Sequence, residues 1–169
     1  MSEDRVTYFW CVPAAEDAAR FQGVIDALAD RQDAPCYMPH LSLASLSGPL
    51  PDLSPVLQTL HGLTLQPQEI AQTEAFTMSL FLRVERHLSL IQARETFEHL
   101  PGIRSSREFD PHLSLCYGTP PPGAEKQEAV QALLQSPIKF DRLVLVDIPA
   151  KVSTYDDIRA WKVVRSIPF

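Results

Sequence analysis

One pentapeptide, Pro-His-Leu-Ser-Leu, occurs twice in this chain, at residues 39–43 and 111–115. The two histidines, His40 and His112, are 72 positions apart in a chain of 169 residues, which is close to half its length. Each copy follows a predicted helix and precedes a turn rich in Gly or Pro. An internal repeat of this kind predicts two similar halves related by a pseudo-twofold axis, each contributing one His-x-Ser motif.

Strand geometry determines which side chains of the repeated motif share a face, because successive side chains of a strand point to opposite faces. In the first copy, His40 and Ser42 share one face, and the two leucines of the motif point into the core. The second copy places His112 and Ser114 in the same way. Two such strands facing one cleft would present two imidazoles and two hydroxyls to a single ligand.

Hydrophobic periodicity and turn residues predict the remaining elements. Helices are expected over 15–31, 52–61, 87–99 and 124–135, and strands over 5–12, 39–46, 62–72, 75–85, 109–117, 138–148 and 158–165. Strands joined by short turns and single helices indicate an α+β protein with antiparallel sheets and outer helices. We therefore expect one bilobal domain over residues 1–169, with a central cleft between two pseudo-twofold-related β-sheet lobes.

Composition and charge narrow the function classes. The length suits one domain with a substantial core. A formal net charge of −6 argues against a protein that coats long nucleic acid, although a nucleotide or an RNA end still fits as a ligand. The N-terminus is acidic and the chain has no long apolar run, so we expect neither a signal peptide nor a membrane span.

The three cysteines, Cys11, Cys36 and Cys116, show no CxxC spacing. We therefore expect reduced thiols in a cytoplasmic protein rather than a disulfide framework. We expect a monomer in the cytoplasm.

Two histidines and two serines on one cleft suit displacement at phosphorus. One imidazole takes a proton from the attacking oxygen, and the other gives a proton to the leaving oxygen on the opposite side. Serine hydroxyls supply donors for the phosphoryl oxygens. A strained cyclic phosphate needs little more, so the residues require neither a metal nor a cofactor.

Other interpretations of the repeat stay open at this point. The repeat could be a purely structural duplication that produces two similar strands without catalysis. A zinc site could use Cys36 or Cys116, but the spacing matches no structural zinc pattern. A Ser-His hydrolase would need an acidic partner and an exposed nucleophile, and the chain has no GxSxG motif.

The two motifs resemble those of the 2H phosphoesterase superfamily, whose hallmark is a pair of His-x-Thr/Ser motifs about half a chain apart. The resemblance covers nearly the whole length and is closest to the cyclic phosphodiesterase branch of yeast and plants. The segments PHLSLCYG, YFWCVP and WKVVRSIPF are similar to that branch's second motif, opening strand and closing strand. The resemblance implies the bilobal fold and metal-independent hydrolysis of ADP-ribose 1″,2″-cyclic phosphate or nucleoside 2′,3′-cyclic phosphates to phosphomonoesters.

The resemblance also implies roles for six residues. His40 and His112 would be the acid/base pair, and Ser42 and Ser114 would bind the phosphate oxygens. The nucleotide pocket would be lined by Trp10 and Tyr117. Strict alternation places Tyr117 opposite Ser114, so it reaches the pocket only if the strand ends or bulges nearby.

Two further functions are compatible with the sequence. An RNA-processing member of the superfamily, 2′–5′ ligase-like or a 3′-end exonuclease, would act on RNA ends and need a basic groove. A local patch could come from four arginines: Arg83, Arg86, Arg104 and Arg107. The second alternative is a non-catalytic module that binds a nucleotide in the same cleft.

Overall fold

A computed structural model describes residues 4–106 and 108–169, so Arg107 of the proposed basic patch lies outside the described residues. In this part of the chain the strands are β1 Arg5–Pro13, β2 Leu41–Leu46, β3 Thr64–Leu65, β4 Pro67–Gln72, β5 Leu80–Val84, β6 Ile103–Arg104, β7 His112–Cys116, β8 Ile138–Pro149 and β9 Lys162–Pro168. The α-helices are α1 Ala15–Gln32, α2 Ser54–Leu60, α3 Leu88–Glu98, α4 Glu128–Ala132 and α5 Tyr155–Arg159.

The strands form two antiparallel sheets, which confirms the predicted α+β class. The first sheet has the order β3-β8-β1-β2-β6, with β9 also pairing β8, and the second has the order β4-β5-β7. No helix in the described residues is both long and apolar enough to cross a membrane.

The sequence repeat corresponds to a repeated strand–helix–strand arrangement. In the first sheet β1 and β2 flank α1, and in the second sheet β5 and β7 flank α3. The cross-strand registers match as well, because Trp10 pairs with Ser42 and Phe81 pairs with Ser114. An aromatic residue therefore stands opposite the serine of each motif.

Both motif strands bulge at the residue that follows the serine. Leu43 of β2 has no partner residue on β1, and Leu115 of β7 has no partner residue on β5. A bulge adds one unpaired residue and reverses which face the following side chains occupy. The same irregularity at the same motif position extends the repeat from sequence to backbone geometry.

The first sheet is buried on both faces, since alternate residues of β1 enter different hydrophobic clusters. Phe9 and Cys11 belong to the large core shared with the second sheet and the helices. Trp10 and Val12 pack with Val144 and other β8 residues in a smaller cluster on the opposite face. That smaller cluster forms the floor beneath the candidate site.

The C-terminal strand predicted over 158–165 was placed too early. Residues Tyr155–Arg159 form α5, and β9 follows at Lys162–Pro168. A capping box starts the helix, because the Thr154 side chain accepts from the backbone N–H of Asp157 while the Asp157 carboxylate accepts from the backbone N–H of Thr154.

Three other elements differ from their predicted extent. The strand over 62–72 is two strands, since β3 pairs with β8 and β4 pairs with β5. The strand over 75–85 begins as a 3-10 turn at Phe76–Met78. The helix over 124–135 is α4 between two 3-10 turns at Ala124–Lys126 and Leu133–Gln135.

Candidate active site

The two motif histidines are held by the same backbone contact. The Nδ1 atom of His40 lies 2.7 Å from the carbonyl oxygen of Met38, and that of His112 lies 2.6 Å from the carbonyl oxygen of Asp110. Because a carbonyl only accepts, each Nδ1 must carry the hydrogen. In each ring this leaves Nε2 as the atom that can gain or lose a proton during a reaction.

An aromatic ring supports each imidazole from the neighbouring strand. Trp10 stacks on His40, with ring centroids 3.6 Å apart and planes 11° apart. Phe81 lies 5.0 Å from His112 at an interplanar angle of 60°. These are the two aromatic residues that pair with the motif serines. Each half of the repeat therefore supplies one aromatic ring that packs against its own histidine.

Burial sets the protonation of His40. Its side chain is only 6% exposed. Burial lowers the pKa of His40 from 6.5 to about 4, opposed by the hydrogen bond to Met38 and assisted by the charge of His112. His40 is therefore neutral near pH 7 and its Nε2 is a proton acceptor.

His112 is half-buried and stands beside a network of charges. Arg83, its cross-strand partner, binds the Asp110 carboxylate through two hydrogen bonds of 2.7 and 2.9 Å. Arg83 also pairs with Glu69. The hydrogen bond from Arg83 lowers the pKa of Asp110, with a smaller contribution from the charge of His112. The ion pair fixes the residue whose carbonyl orients the imidazole.

Both histidines line one open cleft of ≈ 470 Å³, and Ser42 and Trp10 line it with them. The two imidazoles are close enough to interact electrostatically, since His112 lowers the pKa of His40. The structure thus brings together four of the six residues singled out from the sequence. A second compartment of ≈ 490 Å³ adjoins this cleft, since both are lined by His112 and Ser42.

The two motif serines differ in their surroundings. Ser42 is exposed in the cleft. Ser114 is 5% exposed, and its hydroxyl donates to the carbonyl of Thr77 over 3.3 Å. Neither compartment has Ser114 in its lining. The predicted symmetry of the two hydroxyls is therefore broken in the structure.

Tyr117 follows the end of β7 and the bulge at Leu115, which returns its side chain to the face of Ser114. It is nevertheless buried behind the cleft, with ring centroids 4.6 Å from Tyr37 and 5.5 Å from Trp161. Burial raises the pKa of Tyr117, and a hydrogen bond with Ser114 opposes that effect. In this structure Tyr117 supports the wall rather than lining the cleft.

Among the cleft residues that the sequence did not single out, Lys151 and Trp161 bear most on ligand binding. Lys151, in the loop after β8, lines the cleft that contains both histidines and brings a positive charge to it. Trp161, just before β9, borders the same cleft and lies edge-on to Trp10 at 5.3 Å. In the sequence Trp161 is one residue of an apparent closing strand, WKVVRSIPF, and a lysine in a loop carries no signal of function without the fold.

The arginines considered as a basic patch are largely engaged elsewhere. Arg83 is paired with two carboxylates, and Arg86 donates to the carbonyl of Phe109. Arg104 is exposed and lines the second compartment.

No protein-family model matches the chain, and no curated protein sequence gives a significant match. In the part of the chain that the structure describes, no group of three or more His, Cys, Asp or Glu side chains is placed to hold a metal ion. Cys36 is exposed, whereas Cys116 is buried and contacts Gln32.

Proposed function

We propose that this protein hydrolyses a small cyclic phosphodiester to a phosphomonoester by a two-histidine acid/base mechanism within a bilobal fold of the 2H phosphoesterase type. The substrate class is a nucleoside 2′,3′-cyclic phosphate or ADP-ribose 1″,2″-cyclic phosphate. The observation that carries the proposal is the matched pair of imidazoles. Each has Nδ1 tied to the carbonyl two residues earlier, and both line one cleft.

The neutral state of His40 assigns it the role of base. Its Nε2 removes a proton from water as the water oxygen forms a bond to phosphorus. Nε2 of His112 gives its proton to the ring oxygen as the bond from that oxygen to phosphorus breaks. Ring opening leaves a hydroxyl and a phosphomonoester, and proton exchange with solvent restores both histidines.

Two other groups of the cleft suit the phosphoryl oxygens. The exposed Ser42 hydroxyl can donate to one of them. The charge of Lys151 favours an anion in the same cleft. These donors position the phosphorus, while the proton transfers belong to the histidines.

Hydrolysis of the four nucleoside 2′,3′-cyclic monophosphates in the presence of EDTA tests the proposal. We expect wild-type turnover, and a loss of about 100-fold or more in His40→Ala and in His112→Ala, the scale of general acid–base catalysis. His61→Ala is the matched control, because His61 is exposed and lines neither compartment. Full activity in either motif variant would exclude the paired mechanism.

A folded wild-type protein that binds these nucleotides without turning them over would instead favour the non-catalytic module. Turnover restricted to oligonucleotides would favour the RNA-processing alternative.

A further inference from the structure

We propose that the second compartment is a subsite for a second phosphate group of the substrate, with Arg104 and Arg94 supplying the positive charge. The inference rests on the proposed function, because it places the cyclic phosphate between the two histidines. It narrows the proposed substrate class to cyclic phosphates that carry a second phosphate group, far enough from the first to lie in the second compartment.

Adjacency of the two compartments is the first argument. Tyr8, Ser42, Met78 and His112 belong to the lining of both and form their common boundary. A ligand whose reacting phosphorus lies beside His112 is therefore next to the second compartment, which has a volume of ≈ 490 Å³. That volume is within the range of sites that hold a small molecule, roughly 300–1,000 Å³.

The state of Arg94 is the second argument. This α3 residue is 7% exposed, yet among the described residues it forms no salt bridge. Its guanidinium donates to the carbonyls of Leu43 at 3.4 Å and Ser106 at 2.5 Å, and it lies 4.2 Å from the ring centroid of Phe109. A buried charge is ordinarily paired, so an anion in the adjoining compartment would complete its surroundings.

Arg94 has a carboxylate in its vicinity with which it forms no salt bridge. Glu98, one helical turn further along α3, favours the charged form but accepts a hydrogen bond from Ser105 at 3.0 Å. Burial is the larger influence and lowers the pKa of Arg94. The fixed guanidinium therefore contributes positive potential to the compartment that it lines.

The remaining donors of the lining are the exposed guanidinium of Arg104 and the exposed hydroxyl of Ser42. Three other serines line the compartment but donate their hydroxyls to the protein: Ser45 to the Arg104 carbonyl, Ser105 to the Glu98 carboxylate and Ser106 to the Glu108 carbonyl. Two carboxylates also line it, Glu108 and Asp110, and the second of these is neutralised by Arg83. Arginine and hydroxyl donors together form the usual set for a phosphate.

Three kinds of molecule could supply the second phosphate: a nucleoside with a 5′-phosphate, an oligonucleotide with an internucleotide diester, and an ADP-ribose derivative with its pyrophosphate. Each presents the same charged oxygens to Arg104, at a different distance from the reacting phosphorus. Substrates with a single phosphate would leave the compartment empty.

Equilibrium binding of product-like ligands tests the subsite without requiring turnover. The reference probe is a nucleoside 2′- or 3′-monophosphate. The two-phosphate probes are the corresponding 5′-phosphorylated bisphosphate, a dinucleotide with a terminal 3′-phosphate, and an ADP-ribose phosphate. Calorimetry gives the ratio of their dissociation constants for wild type, Arg104→Gln and the control Arg31→Gln.

We expect at least one two-phosphate probe to bind wild type about tenfold more tightly than the reference, the scale of one charge-assisted contact. Arg104→Gln should bring that ratio close to one. Arg31 is exposed in the last turn of α1 and lines neither compartment, so Arg31→Gln makes the same change in net charge and should retain the ratio.

The proposal is overturned if no two-phosphate probe binds more tightly than the reference, or if the advantage survives in Arg104→Gln. A failure of the proposed hydrolysis has a different signature, because tight and Arg104-dependent binding would then occur without turnover. Arg104 is the residue to change because it is exposed, whereas loss of Arg94 would also release the backbone carbonyls that it holds.

Discussion

Trp10 stacks face to face on the imidazole of His40, with ring centroids 3.6 Å apart and ring planes 11° apart. The indole removes water from one face of the imidazole and belongs to the cluster that forms the cleft floor. Since burial is the main cause of the low pKa of His40, the stacking contact helps to keep this histidine neutral. In the proposed mechanism Trp10 would therefore act through His40, in addition to the ligand contact that the resemblance implies.

The pH dependence of hydrolysis tests this relationship. The acidic limb of kcat/KM reports the base of the free enzyme, so in wild type it should lie near the His40 pKa of about 4, well below 6.5. Trp10→Ala admits water and should move that limb upward toward 6.5. Trp10→Phe preserves an aromatic face and should leave it near the wild-type position. The limb's position does not depend on how much enzyme is folded, which keeps the comparison valid if Trp10→Ala is less stable.

An acidic limb near 6.5 in wild type would contradict the assignment of His40 as the base. A low limb that is identical in Trp10→Ala would show that other neighbours exclude the water.

Stability should also depend on pH through His40. The unfolded chain protonates this residue below about 6.5, whereas the folded protein protonates it only below about 4. Between these values the unfolded state binds more protons, so the free energy of unfolding falls as the pH falls. The contribution of His40 should decrease by about 3 kcal/mol across this interval.

Urea unfolding of wild type and His40→Gln at several pH values isolates that contribution. Other groups titrate in both proteins, so only the difference between them is informative. Wild type should lose more stability than His40→Gln as the pH is lowered from about 7 to about 4. Parallel pH dependences would mean that His40 titrates normally in the folded protein.

Much of the site could be predicted from the sequence because the repeat and the alternation of strand residues are local. The pentapeptides placed His40 and His112 on one cleft and their leucines in the core. The matched bulges could not be predicted, because a bulge is defined by the register against a partner strand. Tyr117 was expected on the face of Ser114 only if the strand bulged nearby, and the bulge at Leu115 meets that condition.

Other features depended on contacts between distant segments. The burial of Ser114 arises from its neighbour Thr77 in the turn before β5, which no pattern within PHLSL contains. Lys151 lines the cleft from the loop after β8, and Arg94 lines the second compartment from α3. The last strand was misplaced because a five-residue helix with a capping box occupies Tyr155–Arg159 and so includes the first two residues of the predicted strand over 158–165.

The unequal surroundings of the serines predict unequal effects. Ser42→Ala should lower kcat/KM by about tenfold or more, because a hydroxyl that donates to an anion contributes roughly 1.5–3 kcal/mol. Ser114→Ala should lower the free energy of unfolding by about 1 kcal/mol through the lost hydrogen bond to Thr77, with a smaller effect on kcat/KM. Steady-state kinetics and urea unfolding of both variants provide the comparison. Equal kinetic losses with unchanged stability would mean that Ser114 turns toward the bound phosphate.

The ion pair between Arg83 and Asp110 positions His112. Breaking it in Arg83→Gln should free the backbone of Asp110, whose carbonyl accepts from Nδ1 of His112 over 2.6 Å. Because the contact orients the proposed proton donor, the loss should fall on kcat, by about tenfold, while KM changes little.

Asp110→Asn should reproduce this loss, since it keeps the carbonyl but weakens the pair. The double variant should then cost little more than either single one, as expected for two residues that act through one contact. Glu69→Gln is the matched control, because Glu69 binds the same guanidinium without contacting the histidine segment. Two results would show that the charge network acts on the ligand rather than on the orientation of His112. One is a rise in KM with kcat retained, and the other is a loss of kcat in Glu69→Gln as large as in Arg83→Gln.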